Sequence, residues 1–155
     1  MKLKTGKVFC IVLVAVGLMT RPAVGQNKPA PRHNSPMTVT RLYTGADGQS
    51  HFDQVPVQLS EVSEGAESSA PVKTSDAYII RCAPGFFENW HNADQKRYIV
   101  VVSGEAEVTS TTGEKTLIEP GRVYLAEDLT GKGHTFRVVG KKEWVALFVD
   151  FASKD

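Results

Sequence analysis

The stretch GFFENWHNADQKRYIVVVSG, Gly85 to Gly104, carries the densest chemistry of this 155-residue chain. A glycine, a tryptophan-histidine pair, a short polar loop and a valine-rich run closing on Ser-Gly have the outline of a metal-binding hairpin. His91 can ligate a metal through a ring nitrogen or move a proton, because an imidazole with its ordinary pKa of about 6.5 titrates near neutrality. Arg97 suits the opposite partner: its guanidinium is permanently positive, repels a divalent cation and matches a carboxylate with two parallel hydrogen bonds. A second histidine, His134, closes the run LAEDLTGKGH. That run is not a phosphate-binding loop, since no glycine stands five residues before Gly131-Lys132 and no Ser or Thr follows the lysine.

The elements that must hold these groups read as strands. From Val39 onward come VTRLYT, the turn-forming GADGQS and HFDQVPVQL, then AYIIRCA, RYIVVV, EAEVTST, KTLI, RVYLAE, HTFRVV and EWVALFVDF. The last seven recur at roughly 8 to 12 residues with glycine turns between them, and no segment keeps a 3.6-residue apolar stripe, which predicts an all-β sandwich or barrel, expected as one antiparallel barrel over residues 39–151. Ser60 to Asp76, rich in Ser, Glu and Gly, is expected as a surface loop or irregular edge. Strand alternation puts Arg97 on one face with Ile99 and Val101, the barrel interior if His91 also faces inward. An inward arginine must be paired, because an uncompensated buried charge is costly. Its partner is either a protein acid such as Glu107 or Asp150, or the anionic group of a ligand. Most of the aromatic residues are core, and Trp90, beside His91, is placed nearest a pocket mouth.

The amino terminus reads as a leader. Lys2, Lys4 and Lys7 precede an apolar run from Val8 to Met19, and Ala23 and Gly25 supply small residues before Gln26, the pattern of a secretory signal peptide over residues 1–25. The run is too short for a bilayer-spanning helix of roughly 20 residues. Proline-rich residues 26–38, which include His33, are expected as a flexible tether, and 39–155 as one barrel domain. Loss of the leader removes four of the 18 Lys and Arg side chains and no acid, leaving 14 against 17. That balance favours neither nucleic acid nor, once the leader is cleaved, a membrane. The expected location is secreted or periplasmic. Cys82 is then the only cysteine, so no intrachain disulfide forms, and its apolar neighbours suggest a small buried hydrophobe.

Two turn-and-strand blocks resemble a known family. Gly85, His91, Ala93, Arg97 and Gly104 form the first, and Gly113, Pro120-Gly121, the strand RVYLAE and His134 the second. Together, over about residues 85 to 140, they resemble the two motifs of the cupin superfamily, and LAEDLTGKGH looks like a subgroup of small cupins with an Asp-x-Thr-Gly-Lys-Gly-His turn. The resemblance implies an all-β jelly-roll barrel, a double-stranded β-helix. It also implies a metal set of two histidines and a glutamate from the first motif and one histidine from the second. Here His91 and His134 match two of those positions, while Ala93 and Arg97 occupy the others. No cofactor is therefore expected, and His91 and His134 are only weak metal candidates, with Glu88, Gln95 and Asp128 as off-pattern third ligands.

Three functions follow. One is an exported binding module that holds a small polar or anionic organic molecule against His91, Arg97, His134 and Trp90. Another is an enzyme, either a metal-independent isomerase, epimerase or cyclase with His91 or His134 as acid or base, or a metal-dependent oxygenase with atypical ligands. The third is self-association as a homodimer through sheet edges.

Overall fold

A computed structural model describes residues 36–153, twelve strands with no helix among them. They are β1 (Thr38–Thr44), β2 (Ser50–Pro56), β3 (Leu59–Ser63), β4 (Ala66–Ser69), β5 (Thr74–Cys82), β6 (Phe87–His91), β7 (Arg97–Ser103), β8 (Glu105–Ser110), β9 (Lys115–Ile118), β10 (Val123–Glu127), β11 (His134–Val139) and β12 (Trp144–Phe151). The leader and nearly all of the tether lie outside the described residues; Thr38, assigned to the tether, opens β1.

Two sheets form the barrel walls. One has the order β2-β1-β10-β7-β12-β5 and the other β6-β11-β8-β9. The period-2 patterning is visible in the burial of β8, where Ala106, Val108 and Ser110 turn inward, and of β11, where His134, Phe136 and Val138 do. Trp144, Ala146, Ala106 and Val138, all 2% exposed or less, centre the core between the sheets. Fully burying side chains of this kind contributes about 1.5–3 kcal/mol for each large one, which is how walls with no disulfide among the described residues hold together.

Three features differ from the sequence expectation. β1 pairs β10 in parallel, Thr40 against Tyr124, so the barrel is not wholly antiparallel; the long stretch between the two strands permits a pairing that no hairpin can make. Phe87–His91, whose FENWH has too few apolar residues to read as a strand, is an edge strand paired with β11. Within Ser60–Asp76, β3 and β4 form a hairpin of their own and β5 already begins at Thr74. The hairpin is exposed throughout β4 and nearly so in β3, so backbone pairing rather than a buried face defines it, and it leaves no apolar period in the sequence.

Candidate functional site

Two glycine turns set the strands that carry the candidate residues. Gly104, at φ +73°, lies so close to the β12 backbone that a Cβ there would stand 2.3 Å from the Glu143 carbonyl oxygen. Gly133, also at φ +73°, packs under the end of β6, where a Cβ would stand 2.0 Å from the His91 carbonyl oxygen. Only glycine serves at such a position. It lets the chain bring His134 directly opposite His91 across β11 and β6. The buried Ser50 hydroxyl fixes this turn by donating to the Gly133 carbonyl at 2.6 Å. The Asn92 amide donates to the carbonyls of Asp128 and Thr130 at 3.0 and 2.7 Å.

His91 and His134 therefore meet, with ring centroids 4.3 Å apart. His134 Nδ1 is 2.6 Å from Asp128 Oδ2, and Asp128 is fully buried. His91 Nδ1 is 2.7 Å from the Asn89 carbonyl oxygen. A carbonyl or carboxylate oxygen only accepts, so each Nδ1 carries the hydrogen and each neutral ring keeps Nε2 as an acceptor. Neither Nε2 has a hydrogen-bond partner among the described residues; that of His91 lies 3.6 Å from Glu88 Oε2.

Both rings line a cavity of about 310 Å³ inside the barrel. Its walls are largely apolar and aromatic, including Tyr78, Phe86, Phe136, Trp144 and Phe148, with Glu88, Asp94, Arg97 and Cys82 as further polar members. Burial, and secondarily the Glu88 charge, raise the Cys82 thiol above its ordinary pKa. Burial likewise raises the Tyr124 phenol, whose hydroxyl donates to the Leu117 carbonyl and accepts from the Glu119 amide.

Arg97 is inward, as strand alternation required, and is 8% exposed. Of the partners left open, the structure supplies Asp150, directly across the β7–β12 pairing, with Nε 2.8 Å from Oδ1. Glu107 is engaged elsewhere, by Lys115. The Arg97–Asp150 contact is ionic: its geometry is not that of a hydrogen bond, and the two atoms have no other hydrogen-bond partner among the described residues. The guanidinium also sits over the Phe148 ring, 5.1 Å from its centroid.

Trp90 is not part of this cavity. It is absent from the lining, which includes its β6 neighbours Glu88 and His91, and is 51% exposed. Asn92 and Ser50 have no spacing signal in the sequence, because their roles depend on the three-dimensional return of distant turns. Asp128 was visible only as a possible metal ligand, whereas its carboxylate holds His134.

The family's four-ligand metal set does not fit these residues. Buried Ala93 supplies no donor, Arg97 brings its own cation, and among the described residues no group of three or more His, Cys, Asp or Glu is placed to hold a metal ion.

No family model matches the sequence, and no curated protein matches it either. Solved structures of similar fold include a protein of unknown function from Streptococcus pyogenes, at 14% identity and TM-score 0.41, covering 51% of this chain and 65% of that one. A cupin-2 domain protein from Shewanella frigidimarina has 14% identity and TM-score 0.38, over 49% of this chain and 69% of that one. The cupin domain of Cnp3 from Schizosaccharomyces pombe has 12% identity and TM-score 0.44, over 75% and 88%. The chain spans just under two thirds of the first of these. At such identities and TM-scores the likeness carries no argument about this chain, whose own strand order shows an all-β barrel of a six-stranded and a four-stranded sheet.

Proposed function

We propose that this is an exported barrel that holds a small polar organic molecule in its cavity, against the Nε2 atoms of His91 and His134. The observation that carries this reading is the histidine pair: two rings 4.3 Å apart on the wall of a 310 Å³ cavity, each fixed through Nδ1 and each with Nε2 unused. A mostly apolar pocket with a few convergent polar atoms is the usual form of a small-molecule site. The anionic ligand expected from Arg97 loses its support, because Asp150 already offsets that charge. A ligand-observed NMR screen of small polar organic molecules tests the reading. Hits that vanish with His91→Ala/His134→Ala support it, and hits that persist unchanged contradict it.

The Asp128–His134 contact favours a second reading, proton-transfer catalysis. A carboxylate behind Nδ1 orients an imidazole and stabilises it once Nε2 takes a proton. In that reading His134 is the base, and turnover of a bound hit is abolished by His134→Ala.

A further inference from the structure

We infer that the molecule this cavity takes is a small organic amine in its protonated form; the inference rests on the cavity reading above and names its ligand class. Apart from histidine, the carboxyl and guanidinium side chains in the lining are Glu88, Asp94 and Arg97. Arg97 is offset by Asp150 at 2.8 Å, so the pair presents little net charge to a ligand. Glu88 and Asp94 remain. Among the described residues neither makes an ion pair with a lysine or arginine, and the single ionic neighbour of Glu88 is His91. The wall thus offers two uncompensated carboxylates to whatever enters.

The neutral polar atoms point the same way. His91 and His134, held with hydrogen on Nδ1, present acceptors and no donor through Nε2. His134 is 8% exposed, so its free nitrogen sits in a partly desolvated wall where an unmet acceptor is costly. An ammonium group has up to three N–H donors and no acceptor, and so complements two acceptor nitrogens beside a carboxylate. A carboxylate ligand would meet acceptors and like charge at the same atoms. The aromatic wall adds a third, independent match: Phe86, Phe136 and Trp144 present rings to the cavity, and an ammonium over such a face is attracted by the ring quadrupole. The barrel already uses this chemistry internally, with the Arg97 guanidinium over Phe148.

Calorimetric titration with three probes of matched shape, benzylamine hydrochloride, benzyl alcohol and benzoate, tests the assignment at neutral pH and low salt. Benzylammonium is expected to bind at least about tenfold more tightly than either of the others, a difference of about 1.4 kcal/mol. Its preference over the alcohol should shrink at least about threefold in Glu88→Gln and in Asp94→Asn, two exposed positions that leave the fold intact. Benzoate or benzyl alcohol binding as tightly as benzylammonium overturns the amine class while leaving the cavity reading in place. A benzylammonium preference that survives both substitutions unchanged also overturns it. Failure of all three probes to bind overturns both.

Discussion

Asp150, in β12, and Asp128, in the turn that follows β10, are both buried carboxylates facing a basic side chain, yet their partners leave different chemistry behind. Asp150 faces Arg97, whose charge is permanent, and the two sit close enough to cancel. Asp128 faces His134, whose ring has two nitrogens, and engaging Nδ1 leaves Nε2 free in the cavity wall. A buried carboxylate therefore closes a site when it meets a guanidinium and poises one when it meets an imidazole. The first arrangement concerns stability, and the second is the one the proposed ligand site uses.

The comparison breaks most severely at the closed pair. Arg97→Met leaves Asp150, 3% exposed, without its cation, and is expected to cost about 3–5 kcal/mol in chemical denaturation. Arg97→Met with Asp150→Leu should recover most of that loss, since a buried pair replaced together by apolar residues is near neutral; no recovery would show that the two do not act as a pair. Next comes Gly133→Ala, which forces a left-handed φ on alanine and drives its Cβ into the His91 carbonyl. A loss of at least about 2 kcal/mol is expected, with the His91 and His134 resonances shifted together. A variant as stable as wild type would deny the turn its role.

On the poised side, Asp128→Asn is expected to cost about 1–3 kcal/mol, because a buried, charge-assisted hydrogen bond is weakened. It should also weaken binding of any cavity ligand, as His134 loses the partner that fixes its tautomer. Unchanged binding would detach Asp128 from the site. The smallest effect is alkaline. Cys82 and Tyr124 hold their protons more tightly folded than unfolded. The stability they contribute is complete below the ordinary thiol value of about 8.5 and declines as pH rises towards the raised folded values. The denaturation midpoint should therefore fall above that pH, and Cys82→Ala should remove the first part of the fall. Fast thiol labelling of the native protein at neutral pH would contradict it.

The fold was legible because its signal is local. AYIIRCA, RYIVVV and EWVALFVDF alternate or run apolar over whole strands, and glycine turns separate them, so β5, β7 and β12 could be read directly. FENWH has no such alternation, and β6 becomes a strand only because β11 offers it an edge. The site was half legible for the same reason. His91, Arg97 and His134 could be named from their positions, and Asp150 was one of two acids suggested for Arg97. Which acid it was depended on the cross-strand register of β7 and β12. The role of Asp128 depended on how the six residues before His134 fold back, which spacing does not encode. With Asp150 facing Arg97, the guanidinium no longer argues for an anionic ligand, and the ammonium ligand we infer rests on Glu88, Asp94 and the two histidines instead.

His91 and His134 line the cavity with each Nδ1 engaged and Nε2 left as an acceptor, while Arg97 is closed off by Asp150. Long-range ¹H–¹⁵N correlation of the histidine rings, at a pH where both are neutral, tests it most directly. Both rings are expected to carry hydrogen on Nδ1, and benzylammonium to move the two Nε2 resonances while leaving the Arg97 Nε resonance in place. Hydrogen on Nε2 of either ring, or a ligand that shifts Arg97 and neither histidine, would contradict it.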